Sequence, residues 1–108
     1  MPVPALINTS VLQCNLHSHT YRCKHATGDV IDYVRSAEQA GALVYGVSDH
    51  TPLPDGRHPS VRMAMTELDG YQQAVHDVQA AFPKLRIFLA LECEDFPEHR
   101  GFYREEIL

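Results

Sequence analysis

Leu43-Val44-Tyr45-Gly46-Val47 is an unbroken apolar run that ends in Ser48-Asp49-His50. A half-exposed strand alternates apolar and polar residues, whereas a short continuous run is the form of a strand covered on both faces, as in a parallel sheet. The flanking segments fit that reading. Upstream, Thr27-Gly28-Asp29 is a helix entry, with Asp29 near the positive end of the helix dipole. Val30, Ile31, Val34, Ala37 and Ala40 then recur at helical spacing until Gly41 stops the helix. Downstream, residues 51–62 are too rich in Pro and Gly for regular structure and long enough to be a working loop. Thr66 and Asp69 resemble a capping box, and Leu68, Tyr71, Val75, Val78 and Phe82 mark the buried stripe of a second helix that Pro83 ends.

Further out, residues 11–16 read as a first apolar strand leading into His17-Ser18-His19, and residues 85–91 as a third strand with Glu92 at its end. Pro97 suits a first helical turn, and Phe102, Tyr103, Ile107 and Leu108 sketch a third helix. Three strands each followed by a helix, connected right-handedly, predict an α/β fold with parallel strands. Glu105 and Glu106 would stand at the negative end of that last helix with no Gly or basic cap, so the helix is expected to continue past Leu108.

Alternate side chains of a strand leave on the same side, so His17 and His19 aim together. Neutral imidazole is a common ligand of divalent ions, and two at a strand end can hold one ion. Asp49 and His50 end the second predicted strand and Glu92 the third, so all five polar residues lie at the strand edge where parallel α/β folds build their active sites. Each alone has a plainer role: Asp49-His50 could cap a turn, and Glu92 could belong to the solvated acidic run Glu92-Cys93-Glu94-Asp95. Together they predict a metal centre. Imidazole and carboxylate donors suit zinc, manganese or iron, and a carboxylate among imidazoles can bridge two cations. Cys23, two residues before His25, is read as a packing thiol.

A net charge of −5 with few clustered Lys or Arg gives no footprint for nucleic acid and disfavours an anionic membrane surface, which leaves small-molecule chemistry. Residues 1–10 have neither a basic start nor a long apolar stretch, so no signal peptide or membrane span is expected there. Cys14, Cys23 and Cys93 are irregularly spaced and odd in number, which fits a reducing compartment and predicts a cytoplasmic protein.

His17-Ser-His19-Thr, Cys23-Lys-His25-Ala, Ser48-Asp49-His50-Thr-Pro, the segment from Val61-Arg62-Met63 to Leu68-Asp69-Gly-Tyr71, and Leu91-Glu92-Cys-Glu94 before Phe96-Pro97-Glu98 together resemble the PHP-type histidinol-phosphatase family (polymerase and histidinol phosphatase domain). The resemblance runs from Cys14 onward. It implies a distorted, TIM-barrel-like (β/α)7 barrel, of which residues 1–108 would be the N-terminal three βα units, a truncated part of a single domain. It also implies a cluster of up to three divalent metal ions and hydrolysis of a small phosphorylated substrate, in this subfamily L-histidinol phosphate during histidine biosynthesis. Position by position, His17 and His19 would be ligands of one metal, Glu92 a bridge to a second, and His25 with His50 ligands of a third.

Asp49 is not assigned as a ligand; it would orient a neighbouring imidazole by a hydrogen bond. Arg62 and Arg57 are candidates to hold the phosphate through their planar forks, with a salt bridge as the plainer alternative. His58, His76 and His99 match no ligand motif; His76 and His99 are expected at the surface, and His58 could visit the site on its loop. The family's later motifs, with further His and Asp ligands, are absent from this chain, so each metal would lack part of its shell and the isolated chain is expected to be inactive. Three other readings remain open, the nearest being another PHP-type phosphoesterase. A metal-dependent amidohydrolase also places His-x-His after its first barrel strand, although His25 and Asp49-His50 count against it. A non-catalytic fragment would self-associate through two unpaired strand edges and a bare sheet face.

Overall fold

The computed structural model describes residues 14–108. Strands β1 (Cys14–Asn15), β2 (Val44–His50) and β3 (Arg86–Glu92) form one sheet in that order. Both pairings are parallel: Cys14 lies beside Val44, and the β2–β3 ladder runs from Val44 beside Arg86 to His50 beside Glu92. Helix α1 (Val30–Gln39) connects β1 to β2, and α2 (Leu68–Ala81) connects β2 to β3. The expected parallel α/β arrangement is present.

Local chemistry sets the helix ends. Asp29 caps α1 and its own N–H donates to the Asp32 carboxylate at 2.9 Å, a reciprocal capping box. At the other end Gly41 adopts φ +84°, its N–H donates to Glu38 O and that of Ala42 to Ala37 O. That pair of bonds is a Schellman motif, which satisfies carbonyls the helix leaves open and needs a residue at positive φ. For α2 the predicted Thr66–Asp69 box is not formed. A 3-10 turn at Met65–Glu67 leads into the helix instead, and Glu67 accepts from the Ala64 N–H at 3.0 Å.

Three boundaries differ from expectation. β2 continues through the polar Ser48, Asp49 and His50, because hydrogen bonding to β3 persists to Glu92. Among the described residues β1 pairs at Cys14 and Asn15, which leaves Leu16 beyond the ladder; residues 11–13 of the predicted strand lie outside the described residues. The predicted third helix is a succession of a 3-10 turn (Pro97–His99), one α-helical turn (Arg100–Phe102) and a π-helical turn (Tyr103–Ile107). Its His99 is buried rather than at the surface, since its ring sits edge-on to Phe96 and Phe102 and Nε2 reaches the Asp55 carboxylate at 3.3 Å.

The core lies between the sheet and the two helices. Val30 and Val34 of α1 and Tyr71, Val75 and Val78 of α2 pack on Tyr45, Val47 and Ile87, with Met63 and Leu85 filling in. Side chains of a strand alternate between faces, so Gly46, Ser48 and His50 of β2 and Phe88, Ala90 and Glu92 of β3 share the face away from the helices. The two donor residues of that set, His50 and Glu92, stand side by side at its C-terminal edge.

Candidate metal centre

The chain brings its first two histidines to that edge by crossing β2 at very short range. A Cβ on Gly46 would lie 2.8 Å from Leu16 O and 2.9 Å from Leu16 Cα, closer than real Cβ contacts allow, so only glycine fits. Two hydrogen bonds then pin the crossing: the Ser18 hydroxyl donates to Gly46 O at 2.7 Å, and the Ser48 N–H to Ser18 O at 2.8 Å. His17 and His19 emerge over β3. Glu92 Oε1 lies 2.8 Å from His17 Nε2 and 2.9 Å from His19 Nε2, and the two nitrogens are 3.2 Å apart. The His50 ring joins edge-on, its centroid 4.8 Å from that of His19.

Beneath this trio lies a buried hydrogen-bonded frame. Asp49, inaccessible to solvent, accepts from the Thr20 N–H at 2.7 Å and from the Thr20 hydroxyl. Its hydrogen bonds thus go to the residue after His19 rather than to an imidazole, which corrects the expected bond, and as part of β2 its side chain points to the helix side, away from His50. The Tyr71 hydroxyl accepts from the Asp49 N–H at 3.3 Å and lies 2.7 Å from Ala90 O and 2.9 Å from Val47 O, bolting α2 to both long strands. Burial raises the Tyr71 pKa, so the phenol stays protonated.

His50 is held from the other side. Its Nδ1 is 2.8 Å from Glu94 Oε1, and Glu94 in turn takes both terminal nitrogens of Arg62, each at 3.0 Å. Arg62 is buried and also donates to Thr51 O at 2.7 Å. Its fork is thus engaged inside the protein, the salt-bridge alternative to a phosphate contact. Arg57 likewise pairs with Asp55 and Glu98.

The donor set fits a divalent ion. Ligand atoms about 2.1 Å from a common centre stand roughly 3.0 Å apart at right angles and roughly 3.4 Å at tetrahedral angles. The atoms of His17, His19 and Glu92, at 2.8, 2.9 and 3.2 Å from one another, lie near the right-angle spacing and short of the tetrahedral one. Burial works to raise the Glu92 pKa, but hydrogen bonds to the His17 and His19 rings outweigh it and hold the carboxyl below its ordinary value, in the ionised form a cation needs. Burial also pushes the Glu94 carboxyl up, and there the Arg62 bond prevails and lowers it.

No family model matches the chain. A Deinococcus radiodurans protein named as a histidinol-phosphatase is 34% identical over 90 residues, which are 82% of this chain and 35% of that protein. The crystal structure of a Listeria monocytogenes protein named as a histidinol phosphatase superposes with a TM-score of 0.71 at 22% identity, over 84% of this chain and 38% of that one. The chain is a relative of the PHP-type histidinol-phosphatases. It spans about a third of the length of the curated relative it matches.

Within that family resemblance, the structure gathers four of the five expected ligands. His17, His19 and Glu92 form one group, and His50 adjoins it. His25 joins neither group of donors found among the described residues; it is exposed, and its backbone N–H donates to Cys23 Sγ at 3.3 Å. Cys23 is buried and, with His19 and Asp49, makes a second group of donor atoms within 4.8 Å. The Asp49 carboxylate in that group already accepts two bonds from Thr20, and the packing thiol remains the simpler reading of Cys23. His58 is exposed at φ +52°, its ring stacked 6.1 Å from Phe96, and His76 is exposed on α2. Among the described residues no helix is long and apolar enough to cross a membrane.

Proposed function

We propose that this chain is the ligand-bearing first part of a metal-dependent phosphatase domain of the histidinol-phosphatase type, acting on a small phosphate monoester, L-histidinol phosphate by its relationship. The observation that carries the reading is the convergence of His17, His19 and Glu92, drawn from positions 75 residues apart, on one point at the strand edge. In the proposal His17, His19 and Glu92 hold one divalent ion of zinc, manganese or iron, and His50 and His25 contribute to further sites. When bound, such ions supply Lewis acidity toward a phosphoryl oxygen and lower the pKa of water from 15.7 to about 7. Glu92 keeps a negative charge among the imidazoles, Asp49 keeps the His19 loop in place through Thr20, and Arg62 keeps Glu94 against His50.

Because the chain spans about a third of its relative, its remaining ligands and the rest of the barrel are proposed to be supplied by sequence outside residues 1–108. The bare sheet face supports a second outcome for the isolated chain, self-association through its strand edges without catalysis. Metal analysis of the chain, with assay of histidinol phosphate, other phosphate monoesters and amide substrates, tests both. The expected result is stoichiometric metal that His17→Ala or Glu92→Ala removes, with any turnover confined to phosphate esters. Metal content unchanged in both variants, or turnover of amides, would overturn the reading.

A further inference from the structure

Glu94 stands two residues beyond β3, in an acidic run whose composition suggests a solvated cluster, yet its carboxylate is held by both terminal nitrogens of the buried Arg62. A carboxylate forked by a guanidinium is ionised and offers no proton. The hydrogen of its 2.8 Å bond to His50 therefore sits on Nδ1, and in the neutral ring the free electron pair is left on Nε2. The competing acceptor, Glu92 Oε2, is 3.9 Å from that same Nδ1, beyond hydrogen-bond range. The anchor itself is stiff: Arg62 is 3% exposed and ties Glu94 to the carbonyl of Thr51, the residue after His50. Thr51 is clamped in turn, its N–H donating to Glu92 O at 3.0 Å.

We propose that Glu94, locked by Arg62, is the positioning residue of this centre: it fixes His50 as the Nδ1–H tautomer and keeps Nε2 as the ligating nitrogen beside His19. The function of that tautomer rests on the metal-site reading above, whereas the tautomer itself does not. Groups that orient a ligating histidine in this way typically contribute about 10–100-fold in metal affinity.

The test is the 15N spectrum of the His50 ring in the metal-free 108-residue chain, recorded across a pH series and read where the spectrum itself shows one ring nitrogen protonated and the other not. The expected signature is a protonated Nδ1 and an unprotonated Nε2. Glu94→Gln, which keeps an acceptor oxygen, should preserve it, and Glu94→Ala should abolish it. Should Glu94→Ala unfold because Arg62 is left buried and unpaired, the pair Glu94→Leu with Arg62→Met removes both charges and should lose the signature equally. A wild-type ring protonated at Nε2, or an Nδ1–H that survives loss of Glu94, overturns the proposal. Titration with Mn2+ and Zn2+ separates the two readings. A chain with the Nδ1–H tautomer that takes no metal supports the positioning and removes the metal site, whereas metal uptake with a tautomer indifferent to Glu94 does the reverse.

Discussion

On the helix side of the sheet, Tyr45, Val47, Ile87, Leu89 and Leu91 meet α1 and α2 in one apolar cluster. On the other side the same two strands pair Gly46 with Phe88, Ser48 with Ala90 and His50 with Glu92, residues mostly too small or too polar to make a core. The strand period of two therefore separates stability from chemistry within a single stretch of chain. Changes to the apolar residues of the helix side should unfold the protein without a specific effect on the centre. Changes on the opposite side should do the reverse. Each substitution below is chosen to break that division or make it sharper.

The largest effect is expected at Met63, 2% exposed within the core cluster. Met63→Ala leaves a cavity and should cost about 2–5 kcal/mol of stability in urea denaturation, while the fraction that remains folded binds metal as before. If instead the loss is below 1 kcal/mol by this order-of-magnitude reckoning, the helix side is not the seat of stability.

Gly46 tests the border between the two faces. Gly46→Ala places a methyl against the Leu16 backbone at 2.8 Å, and backbone yields less readily than a flexible side chain. Overpacking of this kind costs about 1–3 kcal/mol. Because Leu16 immediately precedes His17, the displacement should also weaken metal binding by about 10–100-fold, the range for loss of groups that orient ligands. Calorimetric titration would show it, and unchanged affinity would mean that the crossing does not set the His17 and His19 geometry.

This division also explains what could be read from the residues in order. Local rules reach the ends of α1, because Asp29 and Gly41 act on their own neighbours, and the stripe Tyr71, Val75 and Val78 is a period any amphipathic helix displays. The strand-edge placement of His50 and Glu92 follows from the same logic, since an apolar run must end somewhere. Glu94 could not be singled out: its partner Arg62 is 32 residues away, and an acid within Glu92-Cys93-Glu94-Asp95 looks solvated until that partner is seen. The bond expected from Asp49 to an imidazole goes instead to Thr20, the residue after His19, and the adjacent His50 points to the opposite face of the strand. Gly46 carried a signal, a glycine inside an otherwise apolar run, which marks a close backbone approach.

Phe88 should give the smallest change in stability and so bears most directly on how bare the second face is. The residue is 44% exposed in the middle of β3, its ring covered in part by the Arg86 guanidinium 5.4 Å from the ring centroid. A residue this exposed contributes little to the fold, so Phe88→Thr, which keeps strand propensity, should shift stability by no more than about 0.5 kcal/mol. An exposed aromatic on an open parallel sheet does favour contact between copies, and the same substitution should lower the self-association seen by sedimentation velocity. A loss well above that 0.5 kcal/mol would mean that Phe88 is buried in solution by another copy or by the chain itself. The face would then belong to the core, and the separation of stability from chemistry would hold only at the His50–Glu92 end of the sheet.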